Sequence, residues 1–195
     1  MTKAERTRHF IVEKAAPIIN KKGMAGTSIN DIVEATCLTK GSVYGNFESK
    51  DEICLEAFDY LAKRVGADMS QAMSRANTNR EKLVDLLDYY INNVMAENNY
   101  GCPLMNFGIE ADDTNPAVKV KVNKAILTTQ SLFARIVRAG IETGEFKKTV
   151  DADAFAIKAF AMIEGGMWIA RLQGSPKQMQ VIIGSLRQEI NDYCQ

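Results

Sequence analysis

Apolar residues recur along most of the chain at spacings of three and four, the period of a helix with one buried face. Strict alternation is confined to the five residues VKVKV at 118–122, directly after a helix start signal. Phe10, Ile11, Ala15, Ile18 and Ile19 form the first stripe, predicting a helix from about Lys3 to Lys22 that stops at Gly23. Pro17 lies inside it, removes one backbone donor and predicts a kink. Ser28 and Asp31 form a capping box in front of Ile29, Ile32 and Val33, and this second, short helix ends at Ala35. Thr36-Cys37-Leu38 is the turn, with Leu38 as its buried plug. Thr39 is placed to cap a third helix reaching Asn46, which turns Val43 and Phe47 inward and Lys40, Ser42 and Tyr44 outward. A second capping box, Ser49 with Glu52, starts a long helix carrying Ile53, Leu55, Ala57, Phe58 and Leu61 toward roughly Arg75.

The rest of the pattern is also helical. Asn79 opens a segment with Leu83, Leu86, Leu87, Tyr90, Ile91 and Val94 in register, followed by a loop from Asn98 to Gly101. Cys102-Pro103 leads into the short helix LMNFGIEA, and Asn115-Pro116 restarts the chain for a long helix to about Thr143, stopped by Gly144. Asp151 or Asp153 caps AFAIKAFAMIEGGMWIARL, which is apolar around most of its circumference and must be covered on several sides. Ser175-Pro176 opens the last helix, with Met179, Ile182, Ile183, Leu186 and Ile190 on one face. Two neighbouring helices this apolar predict a homodimer formed through the C-terminal pair.

Two short amphipathic segments joined by a three-residue turn have the form of a helix-turn-helix, in which one face packs and the other enters a DNA groove. The run TSINDIV through KGSVYGNFESKDE resembles the TetR/AcrR family of bacterial transcriptional regulators, with Gly23, Thr27-Ser28, Gly41, Tyr44, Phe47 and Ser49-Lys50 at coupled positions. The resemblance implies an all-α fold: a three-helix helix-turn-helix DNA-binding domain at residues 1–48 and a helical ligand-binding and dimerisation bundle at 49–195. It further implies that Thr27 and Ser28 meet the DNA backbone, that Thr39, Lys40, Gly41 and Ser42 enter the major groove, and that Tyr44 and Lys50 hold phosphates. Gly45 and Asn46 complete the expected DNA-facing set. They depart from the family pattern, where a bulky residue and a histidine are common, and Thr36 replaces a usual glycine. Helix capping is an independent role for Ser28, Thr39 and Ser49.

Charge agrees with the motif. The chain is neutral overall, yet residues 1–50 hold eight Lys or Arg against five Asp or Glu, so the basic excess lies with the helix-turn-helix. The single histidine, His9, excludes a multi-histidine metal centre, and the four cysteines Cys37, Cys54, Cys102 and Cys194 form no CxxC pair, so neither metal nor cofactor is expected. No nucleophile-base motif, P-loop or dinucleotide fingerprint points to an enzyme. The first ten residues lack an apolar signal core and no apolar run is long enough to span a bilayer, so a cytoplasmic location without membrane attachment is expected.

For a small-molecule effector, the candidate pocket residues are Leu87, Tyr90, Cys102, Met105, Phe107, Phe133, Met162, Met167 and Trp168, aromatic and flexible side chains suited either to plain packing or to an adaptable apolar site. Glu110 and Glu164 stand in apolar surroundings, where either could recognise a cationic or hydroxylated group. The expected function is a ligand-responsive repressor released from double-stranded operator DNA by an apolar, aromatic or electrophilic effector. Two alternatives stand beside it: a thiol sensor built on Cys102 at a helix N-terminus, and a helical interaction module without DNA binding.

Overall fold

The computed structural model describes residues 1–96 and 100–194. The expected loop from Asn98 to Gly101 lies partly outside them. Among the described residues the chain forms nine α-helices: α1 (Lys3–Lys22), α2 (Ile29–Thr36), α3 (Lys40–Tyr44), α4 (Lys50–Ala72), α5 (Asn79–Asn93), α6 (Pro103–Ala111), α7 (Pro116–Glu142), α8 (Ala152–Gln173) and α9 (Lys177–Tyr193), with a 3-10 turn at Met73–Arg75 after α4. VKVKV is helical, inside α7. The chain divides into two compact units, Met1–Val65 with Cys102–Lys124, and Gly66–Gly101 with Ala125–Gln195. The division expected at residue 48 is therefore drawn elsewhere: the first turns of α4, all of α6 and the start of α7 pack with the N-terminal helices.

The helix boundaries follow their local chemistry. Ser28 accepts from the Asp31 amide while the Asp31 carboxylate accepts from the Ser28 amide, and Thr2 with Glu5 and Thr78 with Glu81 build the same reciprocal cap on α1 and α5. Asp151 caps α8, and Asn115 accepts from the Val118 amide at the start of α7. Helix α1 runs on through Pro17 without interruption. At Ser49 the box is only half made, because the Glu52 carboxylate accepts from the Glu48 amide instead of the Ser49 amide.

In the first unit Ile11, Ala15 and Ile19 of α1, Ile32 of α2, Val43, Phe47, and Ile53, Ala57 and Phe58 of α4 are buried together with Phe107 of α6. The Phe58 and Phe107 rings meet at 5.4 Å between centroids. Two sequence expectations change here. Phe10 lies at the edge of its stripe, 37% exposed, and Leu38 is only half-buried. The buried residue of the turn is Thr36, whose hydroxyl is satisfied by the Ile32 carbonyl at 2.7 Å, so a polar side chain fills the corner at no hydrogen-bond cost.

The second unit is a bundle of α5, α8, α9 and the C-terminal part of α7, with Leu83, Leu86, Phe133, Phe146, Phe155, Ile163, Met179, Leu186 and Ile190 buried. Its free helix ends are tied by side chains. Glu145 accepts from the first amides of α5, Asn79 at 2.7 Å and Arg80 at 3.1 Å, a carboxylate at a helix N-terminus. Tyr193 sits edge-on to Phe155, and burial, followed by its bond to Glu189, pushes its phenol above the usual range. Phe146 packs its ring directly against the α7 backbone at Gly140. A Cβ on Gly140 would lie 2.2 Å from the Phe146 ring, whereas a Cβ on Gly66 of α4 would meet nothing within 4 Å. Gly140→Ala is therefore expected to destabilise the fold by about 1–3 kcal/mol through overpacking. Gly66→Ala should instead stabilise it by up to about 1 kcal/mol through helix propensity. Denaturant midpoints of the two variants check this, and a stabilised Gly140→Ala would show the ring free to move.

Candidate nucleic-acid interface

Helix α3 is five residues long, too short to hold itself together in water. It is held at both ends and from behind. Thr39 accepts from the Ser42 amide at 3.1 Å, the Asn46 side-chain amide donates to the Ser42 carbonyl at 2.8 Å, and Val43 and Phe47 are fully buried. Arg8 closes the back. Its guanidinium lies 4.2 Å over the Phe47 ring, donates to the Asn46 carbonyl at 2.5 Å, and is paired with Glu52 and Glu56. The bond to Glu56, then that to Glu52, raises the Arg8 pKa still further.

With its back fixed, the opposite face of α3 presents Thr39, Lys40, Gly41, Tyr44 and Gly45 to solvent, and Ser42 is half-buried at the edge. Tyr44 is 46% exposed, which leaves its ring and hydroxyl accessible from solvent. A Cβ on Gly41 would find its nearest neighbour at 3.9 Å, so the glycine leaves a flat, open patch beside Lys40. The N-terminus of α2, capped by Ser28, is exposed as well. Backbone amides of such a helix end, a cation and hydroxyls are the groups that bind phosphates and base edges.

Three expected contacts are altered. Thr27 is only 1% exposed and donates its hydroxyl to the Gly23 carbonyl at 2.7 Å, so its side chain is engaged in the turn. Lys50 is half-buried and donates to the carbonyls of Met24 and Thr27 at 2.7 and 3.0 Å. Asn46 turns back on the end of α3. The helix-turn-helix pattern alone carries no sign that these polar groups are used internally: the partners of Thr27 and Lys50 lie in the α1–α2 turn and that of Asn46 lies within α3. Lys22, at the end of α1, pairs with Asp31 at 2.5 Å; this bond, then those from Ser28, lowers the Asp31 carboxyl to about 2.

The candidate effector residues are distributed over both units. Leu87, Tyr90, Phe133 and Met167 are buried in the second unit and Met162 is half-buried there. Phe107 is buried in the first unit, where Met105 and Cys102 are half-buried at the start of α6. Trp168 is 53% exposed and faces outward from α8. Glu110 accepts from the amides of Met24 and Ala25, so its carboxylate belongs to the first unit's turn; Glu164 is buried in α8.

Residues 11–57 match the tetR family of bacterial regulatory proteins, and residues 79–186 match the tetracyclin repressor-like C-terminal domain. The chain belongs to the TetR family. A transcriptional regulator of this family from Cytophaga hutchinsonii has a crystal structure 36% identical in sequence, superposing with a TM-score of 0.91 over 100% of this chain and 98% of that one. An HTH-type transcriptional regulator in the lacX 3' region of Lactococcus lactis subsp. lactis is 36% identical over 106 residues, so the chain spans about half the length of that relative, 54%. The HTH-type transcriptional repressor DhaR of Mycobacterium sp. (strain GP1) is 24% identical over 164 residues, 82% of this chain and 80% of that one. TetR-family proteins are transcriptional regulators that bind operator DNA through the helix-turn-helix and act as dimers, a class distinct from enzymes. Neither the thiol sensor nor the module without DNA binding is favoured by these relationships.

The surface carries one accessible thiol of note. Cys37 ends α2 in a left-handed conformation, φ 55°, and is exposed, whereas Cys54 is fully buried and burial pushes its thiol up to about 11. Maleimide at neutral pH is expected to modify Cys37 in the native protein and to reach Cys54 only after denaturation, as read by mass spectrometry of peptides. Native labelling of Cys54 would show that α4 opens from the N-terminal core.

Proposed function

We propose that this TetR-family regulator is a repressor whose homodimer grips operator DNA through the α3 face and the α2 N-terminus, and lets go when a small apolar or aromatic molecule binds its C-terminal bundle. The observation that carries the reading is the contrast across α3: Val43 and Phe47 are buried while Thr39, Lys40, Gly41 and Tyr44 stand clear on the other side. Ser28 and the α2 amides take backbone phosphates, Lys40 and Ser42 enter the groove, and Tyr44 flanks it. Thr27 acts through the turn. Lys50 has a third ammonium proton left for a phosphate beyond the two carbonyls it holds.

The dimer face is a stripe along one side of α8, Ile157, Ala161, Gly165, Trp168 and Leu172, joined by Val181 and Gly184 of α9. Trp168 at 53% and Leu172 at 69% exposure are expensive to leave in water, and Cβ atoms on Gly165 and Gly184 would meet nothing within 4 Å, leaving room for a second helix pair to approach closely. The effector site uses Leu87, Tyr90, Phe133, Met162 and Met167. An effector that binds more tightly to the conformation unable to span the operator lowers DNA affinity by the ratio of its two affinities. No described helix is long and apolar enough to cross a membrane, which suits a protein working on DNA in the cytoplasm.

Footprinting on DNA flanking the protein's own gene tests the reading. Protection is expected without ligand, with affinity falling steeply as salt rises because phosphate contacts release counterions. Absence of protection at low salt from any segment, including duplexes enriched from a random pool, rejects it. Trp168→Glu is expected to give monomers by sedimentation and to weaken the operator complex at least tenfold; a variant that stays dimeric would move the interface elsewhere. In a thermal-shift screen, a true effector at about 100 times its Kd should add about 2.7 kcal/mol of stability.

A further inference from the structure

The turn between α1 and α2, residues Gly23 to Thr27, is gripped from two sides by charged side chains of other elements. On one side the Glu110 carboxylate of α6 accepts from two successive amides, Met24 through Oε2 and Ala25 through Oε1, both at 2.5 Å. On the other, Lys50 of α4 donates to the carbonyls of Met24 and Thr27 at 2.7 and 3.0 Å. Gly23 leaves no space for anything but this carboxylate: a Cβ there would lie 2.9 Å from Glu110 Oε2. One turn earlier on α6, Asn106 donates to the Asn20 carbonyl at 3.0 Å, so α6 is bonded both to the end of α1 and to the turn that follows it. Ser28, the cap of α2, follows directly on this turn.

We propose that Glu110 is a positioning residue for operator binding, its carboxylate fixing the α1–α2 turn and so the place where the α2 N-terminus meets the phosphate backbone. The proposal rests on the DNA-binding reading above. Its chemistry is specific to a carboxylate. Two parallel amides need two acceptor oxygens; a glutamine offers one and turns an NH2 group against the other donor. Bonds of this kind to an ionised acceptor are the strong ones, and a turn released from them lets α2 shift relative to α3.

The sign of the effect separates positioning from electrostatics. Removing a negative charge from a DNA-binding unit should, by charge alone, tighten its hold on a polyanion. The experiment compares wild-type protein, Glu110→Gln, Glu110→Asp and the charge-matched surface control Asp113→Asn, binding a duplex enriched from a random pool by the wild type and, separately, a scrambled duplex. Glu110→Gln is expected to weaken specific binding at least about tenfold while binding to the scrambled duplex stays equal or tightens. Glu110→Asp, with the carboxylate on a shorter arm, should fall between, and Asp113→Asn should equal or exceed wild type. In 15N spectra Glu110→Gln should move the Met24 and Ala25 amides while those of α8 and α9 stay in place. Specific affinity equal to or above wild type in a folded Glu110→Gln overturns the proposal and leaves the function intact. Failure of the wild type to enrich any sequence overturns the function itself.

Discussion

The reading face depends on one anchor, the burial of Phe47 beneath the Arg8 guanidinium. Helix α3 has five residues, and Gly41 inside it lowers its intrinsic propensity by about 1 kcal/mol relative to alanine, so it would not persist as an isolated segment. Phe47 supplies the buried area that fixes its far end. Arg8 binds the ring, the carbonyl of Asn46 and the carboxylates of α4 at once, which ties α1, α3 and α4 into one body. The exposed side chains of α3 stand where they do because this polar clamp and the apolar plug of Val43 act from the opposite, buried side.

The charge distribution takes on a different meaning in that setting. Much of the basic excess of the N-terminal region is internal: Arg8 is held by two glutamates, Lys22 by Asp31, and Lys50 by two carbonyls. In the interface we propose, few cations are left for phosphates, chiefly Lys40, together with hydroxyls and the amides of α2. Such an interface relies on geometry more than on net charge, which makes the fixation of the α1–α2 turn by Glu110 and Lys50 consequential. Helix α6 thereby belongs structurally with the DNA-reading helices although it is distant from them in sequence.

Local signals in the sequence were sufficient for the elements themselves. Gly23, Ser28 with Asp31, Thr39, Asn115-Pro116, Gly144 and Asp151 sit at the helix ends their chemistry predicts, because caps act within four residues and leave a readable spacing. Long-range partnerships left no such trace. Nothing in the spacing around Lys50 shows that its ammonium bonds carbonyls of the α1–α2 turn, and nothing around Glu110 shows that its partners are amides 85 and more residues away. A helix apolar on all sides does not reveal which side faces solvent, and Trp168, a pocket candidate by its sequence, lies on the exposed side of α8. Leu38 and Thr36 exchanged roles for a related reason, since a threonine that returns its hydroxyl to the preceding turn is as good a filler as a leucine.

The central claim is that α3 presents its outer side chains to a duplex while Val43 and Phe47 hold it from behind. Equilibrium binding of the double variant Lys40→Glu, Tyr44→Ala to the footprinted duplex tests this most directly, with the melting temperature followed in parallel. The predicted result is a loss of specific affinity of roughly a hundredfold at unchanged melting temperature. Wild-type affinity in a normally folded double variant would contradict the account.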